Sequence, residues 1–301
     1  MIDFQDRVAL ITGAGRGLGA CHARLLAERG AAVVVNDPGV ATDGTASEQR
    51  PADEVVAEIA AAGGAAVADY GSVSDPADAE AMVQRAIDQY GRLDIVVNNA
   101  GILRDKAFHN LEWPDLDAVL DVHLRGAFYV TRPAFRHMRE QGYGRIVVTS
   151  SNSGLLGNFG QANYGAAKMG LVGLMNVLKL EGAKYDVKVN AIAPVAHTRM
   201  TEEILGPVAE KLDPAQVSPV VAYLCSEACS ISGEIFSAAG GVVSRMFIGL
   251  TTGWFKHPEK DGPLTPEDVA DHLAEIRDEE GYLVPSSNQD ELQKIAPLLF
   301  S

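Results

Sequence analysis

Arg7-Val-Ala-Leu-Ile-Thr-Gly13-Ala-Gly-Arg16-Gly17-Leu18-Gly19 and, after one intervening helical stretch, Ala31-Ala-Val-Val-Val-Asn36-Asp37 decide the fold. Arg7 to Thr12 is a short apolar run without polar alternation, which reads as a strand buried on both faces. A helical pattern runs from about Leu18 to Arg29, and Gly30 stops it. Ala31 to Asn36 reads as a second strand. Strand, glycine turn, helix and strand make a β-α-β unit, the setting a dinucleotide-binding loop needs. Glycines let the backbone approach a pyrophosphate, and the following helix offers free N–H groups and positive dipole. Gly13, Arg16, Gly17, Leu18 and Gly19 are therefore candidate cofactor contacts. Asp37 closes the second strand, where a carboxylate can hold both ribose hydroxyls of NAD and repel a 2′-phosphate. Arg16 is a cation beside the loop that could welcome that phosphate. Asp37 stands closer to the 2′ position, so NAD is the expected cofactor.

The alternation continues along the chain. Val40 to Gln49 is polar and aperiodic, a surface loop. Pro51 to Ala62 reads as a helix, Ala65 to Asp69 as a strand, and Pro76 to Tyr90 as a helix closed by Gly91. Ser72 and Val73 lie where the chain can close over an adenine ring. Leu93 to Val97 is the next strand, leading into Asn98-Asn99-Ala100-Gly101. Two asparagines leaving a buried strand suggest amides that hold backbone together near a ligand, which makes Asn99 and Gly101 cofactor candidates. Asp115 to Met138 has helical periodicity and contains His123, a candidate catalytic residue or else a core histidine. Gly144 to Ser150 is the fifth strand and Val187 to Ile192 the sixth. Pro194, Ala196 and Thr198 then open a stretch of about 195–214 that reads as a mobile lid. Gln216 to Cys225 reads as a helix and Gly233 to Ala238 as a seventh strand. From Gly241 the composition changes. Residues 246–301 read as a C-terminal extension, too small for a domain, packing on the core 1–245 or on a second subunit. Within it Thr265 is an expected N-cap, with Pro266 at the first position and acids in the first turn, of a helix to about Asp278.

Chemistry concentrates after the fifth strand. Tyr164 and Lys168 are four apart in an Ala-rich helical segment, so both lie on one face. A tyrosine has a pKa of about 10, and a neighbouring ammonium is expected to lower it. Such a phenol can take a proton from an alcohol or return one to a carbonyl. Ser151 sits at the mouth of the fifth strand, where its hydroxyl can bond the same substrate oxygen. Every candidate lies at the carboxyl end of a strand, where open parallel sheets bind ligands.

Composition narrows the partners. Twenty-five basic and 40 acidic residues give a formal charge of −15, which disfavours nucleic acid and anionic membrane surfaces. No apolar run approaches the roughly 20 residues of a membrane span. Cys21, Cys225 and Cys229 have neither metal nor redox spacing, so no metal is expected. With no signal-peptide pattern, a cytoplasmic protein is expected.

Thr12-Gly13-x-x-x-Gly17-x-Gly19, Asn98-Asn99-Ala100-Gly101, Ser151 and Tyr164-x-x-x-Lys168 resemble, in order and spacing, the motifs of short-chain dehydrogenases/reductases. The resemblance implies an α/β fold: a single-domain, Rossmann-type, doubly wound parallel sheet of about seven strands with a C-terminal helical extension. Val35-Asn36-Asp37, Gly101-Ile-Leu-Arg104-Asp105, Val122-His123-Leu-Arg125-Gly126 and Gly157-Asn158-Phe-Gly-Gln161-Ala-Asn163-Tyr164 are similar to a narrower group, the (3R)-hydroxyacyl-CoA dehydrogenase units of type 2 multifunctional β-oxidation enzymes, also described as 17β-hydroxysteroid dehydrogenases type 4. That implies an NAD-dependent oxidation of a 3-hydroxyacyl-CoA or a steroid side-chain thioester. Tyr164 would be base, Ser151 substrate contact, and Lys168 support for tyrosine and nicotinamide ribose. A free-standing dehydrogenase, forming a homodimer or homotetramer, is expected. A 17β-hydroxysteroid dehydrogenase and an NADPH-dependent 3-oxoacyl-carrier reductase are the alternatives. His123 departs from the broader family's asparagine, and Thr198 stands one residue early.

Overall fold

Val8–Thr12 (β1) is buried at all five positions, as an unbroken Val/Ala/Leu/Ile run requires of a strand covered on both faces. The structure is a computed structural model and describes residues 1–45, 50–197 and 206–300. Gly13 leaves β1 at φ 62°. A side chain there would drive a Cβ to 2.8 Å from Ala100 Cα, so only glycine allows the two loops to meet. Helix α1 (Gly17–Glu28) carries the chain back to β2 (Ala32–Asn36), which pairs parallel with β1 in the register Val8↔Ala32 to Thr12↔Asn36.

The unit repeats through α2 (Pro51–Ala61), β3 (Ala65–Asp69), α3 (Pro76–Tyr90) and β4 (Ile95–Asn98). Asp75 caps α3 by accepting from the Ala77 and Asp78 N–H groups, and Gly91 at φ 77° ends it. After α4 (Trp113–Leu120) the helix loosens into a π turn over Asp121–Arg125 and resumes as α5 (Gly126–Gln141). Then follow β5 (Gly144–Thr149), the single turn α6 (Asn152–Leu155), α7 (Ala162–Gly182), β6 (Val187–Pro194), α8 (Ser218–Cys225), β7 (Ile235–Ala239) and β8 (Val242–Met246).

The sheet order is β3-β2-β1-β4-β5-β6-β7-β8. The chain moves outward from β1 to β3, then crosses back to β4. That reversal opens a crevice above the carboxyl ends of β1 and β4. Beneath it, α1, α2 and α8 form a core with one face of the sheet, in which Leu26, Val33, Ile95, Val147, Ile192 and Val221 are all buried.

Among the described residues the sheet has eight strands, in keeping with the expected count of about seven; the eighth arises because Gly240-Gly241, both at positive φ, turn the chain back into an edge strand. Two sequence readings are corrected here. The helix expected over 115–138 starts at Trp113 and carries the π turn, which a 3.6-residue period does not register. The helix expected from Thr265 to about Asp278 breaks at His272 into α9 (Pro266–Asp271) and α10 (Leu273–Ile276).

The chain divides into two compact units, Met1–Arg245 and Met246–Ser301. The second is held by capping boxes, Thr265 with Asp268 and Ser287 with Asp290, the latter opening α11 (Asn288–Leu299). Trp254 stacks on His272 at 3.9 Å between centroids, and Leu250 bridges Leu283. Among the described residues no helix is long and apolar enough to cross a membrane.

Candidate active site

Thr12, the last residue of β1, organises the crevice. Its hydroxyl accepts from the Asn99 and Ala100 N–H groups at 3.0 and 3.1 Å. The Asn99 amide in turn donates to the carbonyls of Thr12 and Gly13 at 2.9 and 3.1 Å. The loops after β1 and β4 are thereby stitched together, as two asparagines leaving a buried strand suggested. Asn98 points the other way and donates to Thr131 in α5 at 2.8 Å. Gly19 acts in packing: a Cβ there would stand 2.4 Å from the Gly13 carbonyl oxygen.

Asp37 closes β2 with both carboxylate oxygens engaged. One accepts from Gly15 N–H at 3.0 Å and the other from Gly39 N–H at 2.8 Å. A carboxylate oxygen has more than one lone pair, so each can also accept from a ribose hydroxyl. Gly13, Arg16, Gly17, Leu18, Asp37, Ser72, Val73, Asn99, Gly101, His123, Tyr164, Lys168, Pro194 and Ala196 all line one cavity of about 630 Å³. Gly19 and Ser151 are not in its wall. Thr198 and the rest of 198–205, within the stretch read as a lid, lie outside the described residues.

The catalytic candidates converge at the end of β5. Lys168 is buried, and its Nζ donates to the Thr149 carbonyl at 2.6 Å. Ser150 Oγ donates to the Lys168 carbonyl at 2.9 Å, fixing α7 against the strand end. The ammonium lies 5.3 Å from the Tyr164 ring centroid. Burial lowers the Lys168 pKa from 10.5 to about 7, because the apolar surroundings disfavour the charged form.

Burial also dominates at Tyr164, whose phenol is held above its ordinary value, with the nearby Asp105 carboxylate adding to the rise. The Ser151 hydroxyl is close enough to oppose that shift. This corrects the expectation of an acidic phenol: although Lys168 Nζ lies 5.3 Å from the ring centroid, burial sets the direction of the shift in the protein alone. Ser151 Oγ also accepts from Ser153 N–H at 3.1 Å, which caps α6, and donates to Asn152 Oδ1 at 3.2 Å.

His123 sits on the π turn, 3% exposed, edge-on to Tyr164 with centroids 5.1 Å apart. Its Nε2 lies 2.8 Å from the Ile102 carbonyl and 3.0 Å from the Ile102 N–H. Nδ1 has no hydrogen-bond partner among the described residues. Burial, with Lys168 beside it, keeps the ring well below its ordinary pKa and so neutral. Gly101 makes room for it, since a Cβ there would meet His123 Cε1 at 2.3 Å.

Several participants escaped the sequence reading. The loop after β2 was read as surface, yet Pro38, Val40, Ala41, Thr42 and Gly44 form one wall of the cavity. Arg104 joins the same wall. Asp105, its pKa raised by burial, accepts from Gln161 Nε2 at 2.6 Å just before α7. Thr12 carried a usable signal as the polar end of an apolar strand, and Arg104, Asp105 and Gln161 lie within the quoted motifs without an assigned role.

The short chain dehydrogenase family model matches residues 7–206. The chain belongs to the short-chain dehydrogenase family. It is 53% identical to a protein of Mycobacterium tuberculosis named as a short-chain type dehydrogenase/reductase, over 93% of this chain and 97% of that one. It is 49% identical to the peroxisomal multifunctional enzyme type 2 of Drosophila melanogaster over 91% of this chain, which spans 46% of that larger protein. The solved structure of that full-length fly enzyme superposes with a TM-score of 0.83 over 99% of this chain and 50% of the other. A hydroxyacyl-CoA dehydrogenase of M. tuberculosis, ChsB1, is 40% identical over 84% of this chain and 86% of its own length. As a short-chain dehydrogenase the chain is an oxidoreductase that works with a nicotinamide cofactor.

Proposed function

We propose that this short-chain dehydrogenase oxidises a 3-hydroxyacyl-CoA to the 3-oxoacyl-CoA with NAD. The observation that carries the reading is that Tyr164 and Lys168 share a cavity wall with Asp37 and the glycine loop. The residues fit the cofactor. Asp37 offers an anionic acceptor pair to ribose hydroxyls, and the same charge opposes a 2′-phosphate. Gly13, Gly17 and Leu18 would carry the pyrophosphate at the start of α1, Ser72 and Val73 the adenine, and Asn99, Lys168 and Pro194 the nicotinamide end. When bound, NAD supplies the hydride acceptor.

The chain's own residues handle the proton. Tyr164 takes it from the substrate alcohol, and Ser151 bonds the same oxygen and orients it. Lys168 favours the phenolate in the loaded site, where a cofactor phosphate or ribose can hold the ammonium charged. His123, neutral and edge-on to the phenol, supports the relay of that proton. The acyl-CoA assignment draws on the names of the fly and mycobacterial relatives. A 17β-hydroxysteroid or an NADPH-linked 3-oxoacyl carrier would use the same chemistry, and Asp37 disfavours the latter.

A homodimer or homotetramer completes the reading. Val177 and Leu180 on α7 and Phe128 on α5 are exposed, an apolar set suited to helix-to-helix association. Three free thiols, two of them buried, fit a reducing cytoplasm. The test is a comparison of kcat/KM for a 3-hydroxyacyl-CoA and a free 17β-hydroxysteroid, each with NAD and NADP. Highest efficiency with the thioester and NAD is expected; highest efficiency with the steroid, or with NADP, overturns the assignment.

A further inference from the structure

We propose that Arg104 is a positioning residue that straps the cofactor wall at residues 38–45 to the amino end of the catalytic helix α7. The inference rests on the NAD reading above and extends it to a side chain to which that reading gives no role. The loop is a tied turn. Ala41 N–H donates to the Thr45 carbonyl at 2.9 Å and Gly44 N–H to the Ala41 carbonyl at 3.0 Å. Asp43 Oδ1 accepts from both the N–H and the hydroxyl of Thr45. Besides the Gly39 bond to Asp37, two bonds among the described residues tie it to the 103–104 segment: Leu103 N–H donates to the Thr42 carbonyl at 2.9 Å, and Arg104 Nε donates to the Asp43 carbonyl at 3.0 Å.

Arg104 is itself held. Its guanidinium pairs with Asp115 in α4 at 3.4 Å, and Asp115 also pairs with Lys106 at 2.8 Å. The Arg104 carbonyl accepts from Asn163 Nδ2 at 2.9 Å. Asn163, fully buried, accepts through Oδ1 from the Tyr164 N–H at 2.8 Å. A hydrogen-bonded path therefore runs from the wall beside Asp37, through residues 103–104, to the backbone of the catalytic tyrosine. The planar fork of Arg can grip a carbonyl and a carboxylate at once, which Lys does with less order. Losing that grip frees the wall to swing from the cofactor while the catalytic groups stay in place.

Arg104→Met keeps the apolar stem and removes the fork. Titrating NADH by its fluorescence should show Kd rising about tenfold, the scale of one or two lost hydrogen bonds to a charged group. KM for NAD should rise with it, while kcat at saturating NAD falls less than threefold and Tm holds. Arg104→Lys should lie between Met and wild type, and it carries the test should the Met variant not fold. NADH binding unchanged in the Met variant, or in Lys where only Lys folds, overturns the strap and leaves the NAD reading standing. Wild-type protein that fails to bind NADH overturns both.

Discussion

Lys168→Met should make the protein more stable at neutral and acidic pH while abolishing turnover. The wild-type ammonium is 3% exposed and its pKa falls from 10.5 to about 7. At about 1.36 kcal/mol per pH unit, that drop corresponds to about 5 kcal/mol of penalty for burying the charge. Methionine fills a similar volume without the charge but leaves the Thr149 carbonyl, accepted from Lys168 at 2.6 Å, without its donor. That loss costs about 1–3 kcal/mol, so the net gain at pH 6 should be about 2–4 kcal/mol. The sign of the pH dependence follows from the depressed pKa. Below about 7 both folded and unfolded wild type carry the proton, and the full penalty is present. Between about 7 and 10.5 only the unfolded chain binds it, so wild-type stability rises with pH. The advantage of the methionine variant should shrink by about 3 kcal/mol between pH 6 and pH 9. Urea unfolding of cofactor-free protein, at one protein concentration and both pH values, measures this. A variant less stable than wild type at pH 6, or a stability difference that does not move with pH, would show that Lys168 is not a buried, destabilising cation.

Two further outcomes follow from the site. Ser151→Ala should lower kcat by about 10²–10⁴ with NADH binding retained, the range for a group supporting proton transfer; a loss under threefold removes Ser151 from the chemistry. Asp37→Asn keeps shape but removes charge, and should shift the NAD-to-NADP ratio of kcat/KM toward NADP by about tenfold or more, since bonds to charged groups contribute about 1.5–3 kcal/mol. An unchanged ratio would mean that Asp37 does not choose the cofactor.

Much of this was legible because it is local or periodic. The all-apolar run at Val8–Thr12, the glycines after it and the paired asparagines each announce their structure within a few residues. The strand-end placement of Gly13, Asp37, Asn99 and Ser151 followed from the alternation of helices and strands. What was missed depends on distance or burial. Thr42 and Asp43 read as loop because their partners, Leu103 and Arg104, lie about 60 residues away in a segment with no pattern linking them. The direction of the Tyr164 shift was misjudged because i,i+4 spacing reports proximity to Lys168 but not desolvation. Other misses had a signal available. Gly240-Gly241 is a two-residue hairpin turn, and Ser287-x-x-Asp290 is a capping box opening α11.

The account stands most directly on Tyr164→Phe, assayed for 3-hydroxyacyl-CoA oxidation alongside an NADH binding titration. The phenol is the only group assigned to take the alcohol proton, so turnover should fall at least about a thousandfold while NADH binds as in wild type. Turnover near the wild-type rate in that variant would contradict the mechanism.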